Sequence, residues 1–193
     1  MNDAINNEIR HQLRESAALM EKMAAGTVES IAAAADLIGT ALRKGNKLLL
    51  CGNGGSAADC QHLAAELVGR YKRERRGVPA IALTTDTSIL TSVGNDYGYK
   101  EIFRRQVEAL GREGDVLLGI STSGRSANVI EALREAGRLG MKRIVLIGGK
   151  GGEIGDEAEV VIAVPHTDTP RVQEAQAIAG HIICDLVEQG LGE

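Results

Sequence analysis

Lys47-Leu-Leu-Leu-Cys51, running directly into Gly52-Asn-Gly-Gly-Ser56, is the stretch that decides the fold. The leucine-rich run reads as a short strand. The glycine loop after it opens a helical run from Ser56 to Gly69. Glycines let the backbone approach an anion, and a helix N-terminus supplies free N–H groups and a positive dipole end. One helical turn apart on that run stand His62 and Glu66. Positions i and i+4 share a helix face, so an imidazole and a carboxylate point the same way beside a phosphate cradle. That is the layout of a reaction centre acting on a phosphorylated small molecule.

The same alternation continues downstream. Candidate strands lie at 47–51, 79–83, 115–120, 143–147 and 160–164. Each is short, apolar and non-alternating, as in strands buried on both faces of a parallel sheet. Helical stretches are expected at 56–69, 86–94, 99–110, 126–139 and about 170–190, the last with Pro170 in its first turn. The fold class is therefore α/β, with a doubly wound five-stranded parallel sheet. Upstream, residues 2–44 read as two helices broken at Gly26-Thr27. One is striped by Ile5, Ile9, Leu13, Met20 and Met23, and the other by Val28, Ile31, Ala35, Ile38 and Leu42. The whole chain, 1–193, reads as one domain: a helical hairpin over 1–44 and an α/β sandwich over 45–193. A hairpin has limited sheet to cover within one subunit, so part of its stripe is expected to pack against another copy. A monodisperse monomer in solution scattering would rule that out.

Bulk properties narrow the class. A net charge of −4 with mixed signs leaves no nucleic-acid footprint. The basic run Tyr71-Lys-Arg-Glu-Arg-Arg76 reads as a solvated loop, with a substrate or subunit contact as the alternative. With Phe103, Tyr71, Tyr97 and Tyr99 as the only aromatics, the core must be aliphatic. Cys51, Cys60 and Cys184 are an odd set without a Cys-x-x-Cys pair, and read as reduced, mostly buried thiols of a cytoplasmic protein. The start is polar and acidic, without the features of a signal peptide, and no apolar run approaches a membrane span.

In doubly wound sheets, ligands bind beyond the carboxyl ends of the strands. There lie Gly52-Asn-Gly-Gly-Ser56, Thr84-Thr-Asp-Thr-Ser88, Ser121-Thr-Ser-Gly-Arg-Ser126 and Pro165-His-Thr-Asp-Thr-Pro170. Ser121, Thr122, Ser123 and Ser126 give four hydroxyls in six residues at a helix start. One serine would suit an ordinary N-cap, whereas four favour an anion site. The first loop also fits a degenerate dinucleotide pattern, Gly52-x-Gly54-x-x-Ala57. Its nearest acidic partner, Asp86, lies roughly ten residues beyond the typical spacing of about 20, which demotes that reading. Gln173 and His181, eight residues apart on the last helix, project from one side. His62, Glu66, Gln173 and His181 together would suit a divalent ion such as zinc. A surface His–Glu pair worth little is the plainer alternative, and spacing leaves the metal open. His11 reads as a surface residue.

These strings carry a resemblance over essentially the whole chain. Cys51-Gly-Asn-Gly-Gly-Ser-Ala-Ala-Asp59, Gln61-His62 with Glu66, Pro79-Ala-Ile-Ala-Leu83, Asn95-Asp96, Gly114-Asp-Val-Leu-Leu118 with Ser121-Thr-Ser123, and Arg171-Val-Gln173-Glu174 with His181 are similar to the sugar isomerase (SIS) domain family, with its flavodoxin-like sheet. Within it, the chain resembles the aldose–ketose isomerases of sedoheptulose 7-phosphate, which serve nucleotide-activated heptose synthesis for bacterial cell-surface polysaccharide. The resemblance implies a homotetramer built on the N-terminal helices and zinc held by His62, Glu66, Gln173 and His181. It implies Glu66 and His181 as the catalytic acid/base pair. Substrate contacts are implied from Asn53, Gly54, Gly55, Ser56, Glu66, Asn95, Asp96, Ser121, Thr122, Ser123, Ser126 and Gln173. A non-catalytic branch, similar to the DnaA initiator-associating protein, shares most strings but not the acid at 66 or the histidine at 181. This chain has both.

Overall fold

The computed structural model describes residues 2–149 and 151–191. Among them, five strands form one parallel sheet: β1 (Leu48–Gly52), β2 (Ala80–Ala82), β3 (Val116–Ser121), β4 (Lys142–Gly148) and β5 (Val160–Val164). Their order is β2-β1-β3-β4-β5. Leu50 pairs with Ala82 on one side and with Leu118 on the other. Every residue of β1 and β3 is buried, which explains their unbroken apolar runs.

Alternate strand residues feed two cores. Leu48, Leu50, Leu118, Ile120 and Leu146 face a layer made by α2 (Val28–Arg43), α3 (Gly55–Val68) and α7 (Thr169–Gly190). Leu49, Cys51, Leu117, Val145 and Ile147 face α5 (Arg104–Leu110) and α6 (Ala127–Arg138). The helix expected at 99–110 is a 3-10 turn at Tyr99–Glu101 followed by α5, with Ile102 and Phe103 buried at the join. The remaining helix, α4 (Thr87–Tyr97), is capped by Asp86, whose side chain accepts from the Ile89 N–H at 2.9 Å, and it buries no residue.

The N-terminal pair is α1 (Asn2–Gly26) and α2, broken at Thr27 as expected. The chain turns there by 71°, so the pair is an open elbow and not a hairpin reversal. The reason is local. Thr27 N–H donates to Met23 and its carbonyl accepts from Ile31, so helical bonding continues through the break. A reversal needs a loop of roughly two to five residues. The elbow leaves Ile5, Ile9, Leu13 and Val28 exposed and frames, with α7, an apolar groove of about 500 Å³. Among the described residues, no single helix is long and apolar enough to cross a membrane. All three cysteines are buried and unpaired, as expected.

After β1 the chain crosses one way to β2, and after β3 it crosses the other way to β4. The carboxyl ends of β1 and β3 therefore flank the switch point, where such sheets bind ligands.

Candidate active site

The switch point joins the two predicted loops. Gly54, at φ 56°, turns the chain into α3. Asn53 and the buried Asn128 exchange amide hydrogen bonds of 2.9 and 2.8 Å, and the Tyr99 hydroxyl donates to Asn53 at 3.0 Å. Ser126 precedes α6 but makes no side-chain cap; its hydroxyl lies 2.9 Å from that of Ser121 instead. The plain N-cap reading of that serine thus does not hold. Gly124, at φ 64°, bends the hydroxyl loop between them, and Ser123 accepts from the Arg125 N–H at 3.3 Å.

Helices α3 and α7 pack side by side, in parallel. Their contacts advance together: Gly55 lies against Gln173, Leu63 against Gly180, and His62 against His181. Gly180 is what permits the approach, since a Cβ there would fall 2.7 Å from a Leu63 methyl. The result is a compact donor cluster. His62 Nε2 and His181 Nε2 are 2.7 Å apart, so one ring donates to the other. Glu66 Oε1 is 3.5 Å from His62 Nε2. All three donors lie within 4.8 Å of one another. Ligand atoms around a tetrahedral zinc stand about 3.3 Å apart at ordinary bond lengths, so two imidazoles and a carboxylate within 4.8 Å of one another form a donor set that fits a divalent ion. Asp59, one turn before His62, borders the cluster. Burial pushes its carboxyl up, while the His62 and His181 charges act to lower it.

The structure thus brings together His62, Glu66 and His181, and separately Asn53, Ser121 and Ser126. Gly54 and Gly55 are exposed at the head of α3, with Ser56 buried just inside it. The Gln173 amide lies against Gly55, at the loop end of the site. Asn95 and Asp96 sit exposed at the end of α4, where the Asn95 amide donates to Asp96 at 2.8 Å. Thr122 is half-buried between Ser121 and Ser123. His166 faces Glu15 at 3.8 Å, away from the cluster, and His11 is exposed.

Sequence reasoning missed four neighbours. Asn128 holds Asn53. Tyr71 stacks on His181 with centroids 5.6 Å apart. Arg75 and Glu188 face each other at 3.2 Å with the Glu188 side chain fully buried. The basic run is therefore not simply a solvated loop. Only Asp59, also without an assigned role, carried a signal in the sequence, its i, i+3 spacing to His62.

The sequence profile of the SIS domain family matches residues 11–148. The chain belongs to the SIS domain family. Among curated relatives, this SIS domain is 56% identical over 184 residues to the phosphoheptose isomerase of Geotalea daltonii, covering 95% of this chain and 96% of that one. It is 54% identical over 187 residues to the phosphoheptose isomerase of Geobacter metallireducens, covering 97% and 99%. Among solved structures, the phosphoheptose isomerase of Neisseria gonorrhoeae superposes with a TM-score of 0.91 at 44% identity, covering 96% of this chain and 99% of that one.

Proposed function

We propose that this SIS domain is a phosphoheptose isomerase. It converts sedoheptulose 7-phosphate to D-glycero-D-manno-heptose 7-phosphate through an enediol, the first step toward nucleotide-activated heptose. The observation that carries the reading is the convergence of Glu66 on α3 with His181 on α7, beside the switch-point loops. Relatives of that name at 54–56% identity along nearly the full length support it.

The reaction moves a proton between neighbouring carbons. It needs a base within reach of the carbon acid and stabilisation of charge on the adjacent oxygen. Glu66, half-buried on the inward face of α3, is the carbon base, and His181 is its partner in moving the proton between oxygens. His62, Glu66 and His181 would hold zinc, with Gln173, from the loop end of α7, proposed as a fourth donor. A divalent ion held there would supply Lewis-acid polarisation of the substrate's carbonyl. Ser121, Thr122, Ser123 and Ser126 bind the phosphate with the N–H groups at the start of α6. Asn53, Gly54, Gly55, Ser56, Asn95, Asp96 and Gln173 orient the sugar chain between the two ends. Phosphate binding far from carbon one then supplies energy for orientation.

The protein works in the cytoplasm as a homotetramer. The exposed stripe of α1 and the apolar groove between α1, α2 and α7 support that assembly. Incubation of the purified protein with sedoheptulose 7-phosphate, followed by NMR, should show aldose formation. Binding without turnover would refute the enzyme reading and favour a protein-docking relative.

A further inference from the structure

We infer that Glu188 is a positioning residue for the acid/base cluster, acting through the basic loop and Tyr71. This inference rests on the proposed reading of that cluster. Glu188 lies on α7 two turns beyond His181, on the same helix face. Its side chain is fully buried. One carboxylate oxygen accepts from the Tyr71 N–H at 2.9 Å, and the other from the Lys72 and Arg73 N–H groups at 2.7 and 2.8 Å. Those three bonds clip the turn 71–73 onto α7. The clipped turn lays the Tyr71 ring on the His181 ring, 5.6 Å between centroids and 29° from parallel.

The other arm runs through Arg75. Its Nε stands 3.2 Å from Glu188 Oε1. Its two terminal nitrogens donate to the carbonyls of Glu66 at 3.0 Å and Leu67 at 2.9 Å. These carbonyls at the end of α3 lack an intrahelical partner, which a cation satisfies well; that of Leu67 also accepts from the Val78 N–H at 3.2 Å. One buried carboxylate is therefore linked to the backbone of Glu66 on one side and to the ring of His181 on the other. Stability alone does not call for such a pair, because well-packed apolar residues often do as well as a buried ion pair. The brace fixes the separation of the helices that carry the cluster. Groups that support metal ligands from behind commonly change metal affinity or activity about 10- to 100-fold when removed.

The test uses the full-length protein and three variants, Glu188→Gln, Tyr71→Leu and Tyr71→Phe. Zinc affinity is read by competition with a chromophoric chelator, kcat and KM on sedoheptulose 7-phosphate, and folding by thermal unfolding. Glu188→Gln and Tyr71→Leu should weaken zinc binding and lower kcat by about tenfold or more, with KM changed less than about twofold. Tyr71→Phe, which keeps the stacking ring, should restore both. If Glu188→Gln does not fold, the two Tyr71 variants decide. Either Glu188→Gln or Tyr71→Leu, folded and with zinc affinity and kcat within about twofold of wild type, overturns the inference. Wild-type protein that neither binds zinc nor turns the sugar over overturns the reading of the cluster itself, and is distinguished by failing before any substitution is made.

Discussion

Gly55→Ala should damage activity while leaving the fold intact. Gly55 is the first residue of α3. A Cβ built on it would lie 2.3 Å from Gln173 Nε2 and 3.0 Å from its Cδ, whereas ordinary contact begins at 3.4 Å. The amide must therefore retreat by about 1 Å. Gln173 is flexible at that end, so the retreat costs about 0.5–1.5 kcal/mol in side-chain conformation. Alanine returns up to about 1 kcal/mol over glycine in a helix. The terms nearly cancel, and the unfolding temperature should move by no more than about 4 °C. Catalysis has no such compensation. A displacement of about 1 Å in a positioning group can cost about 100-fold in rate, or roughly 2.7 kcal/mol. The assay is kcat/KM on sedoheptulose 7-phosphate beside thermal unfolding, for Gly55→Ala, Gln173→Ala and the double variant. If the loss passes through the amide, the double variant should be no worse than Gln173→Ala alone. Gly55→Ala with kcat/KM within threefold of wild type, at an unchanged unfolding temperature, would refute this chain of reasoning.

Glu66→Gln should keep the fold and lose about 100- to 10,000-fold in kcat, the usual contribution of a positioned base; wild-type rates would remove Glu66 from the mechanism. Ser121→Ala and Ser123→Ala should mainly raise KM, each by about tenfold or more if a charged-group hydrogen bond of roughly 1.5–3 kcal/mol is lost, and unchanged KM in both would argue against a phosphate site there. Chelator treatment should abolish turnover and added zinc restore it, as followed by NMR; full activity in metal-free protein would discard the metal. Stability should fall in acid through Glu188. Burial raises its carboxyl, but the Lys72, Tyr71 and Arg73 N–H groups and the Arg75 charge outweigh that and hold it below 4.5. Its folded value being depressed, the stabilisation is complete above the unfolded value and fades as pH falls through the folded one. Melting curves should show the gap between wild type and Glu188→Gln narrowing below about pH 4.5.

The strands were legible because parallel strands buried on both faces carry no polar interruptions. All five fall within one or two residues of where the apolar runs predict. The break at Thr27 was legible too, but its angle was not, since that depends on whether helical bonding continues through it. The cluster was half legible. Spacing puts His62 with Glu66, and Gln173 on the side of His181, yet only packing tells that α3 and α7 lie together. Gly180 was a sign of close approach that local reasoning passes over. The basic loop misled because its partners, Asp185 and Glu188, lie more than a hundred residues away. A run of charges looks solvated until the buried carboxylate that receives it is known.

On the proposed reading, the parallel pairing of α3 and α7 gives one site both a phosphate end and a proton-transfer end. Two helices that run the same way rise equally, about 1.5 Å per residue. Gly55 lies against Gln173 at the head of the pair. His62 follows Gly55 by seven residues, and His181 follows Gln173 by eight, so both arrive at a level about 10–12 Å further along. One close contact, Leu63 on Gly180, sets the register for both rungs. An extended chain advances about 1.2 Å per bond, so a seven-carbon sugar with its phosphate spans a similar length. On the proposed reading, a sugar gripped by its phosphate at the switch-point loops runs along this pair toward the histidines.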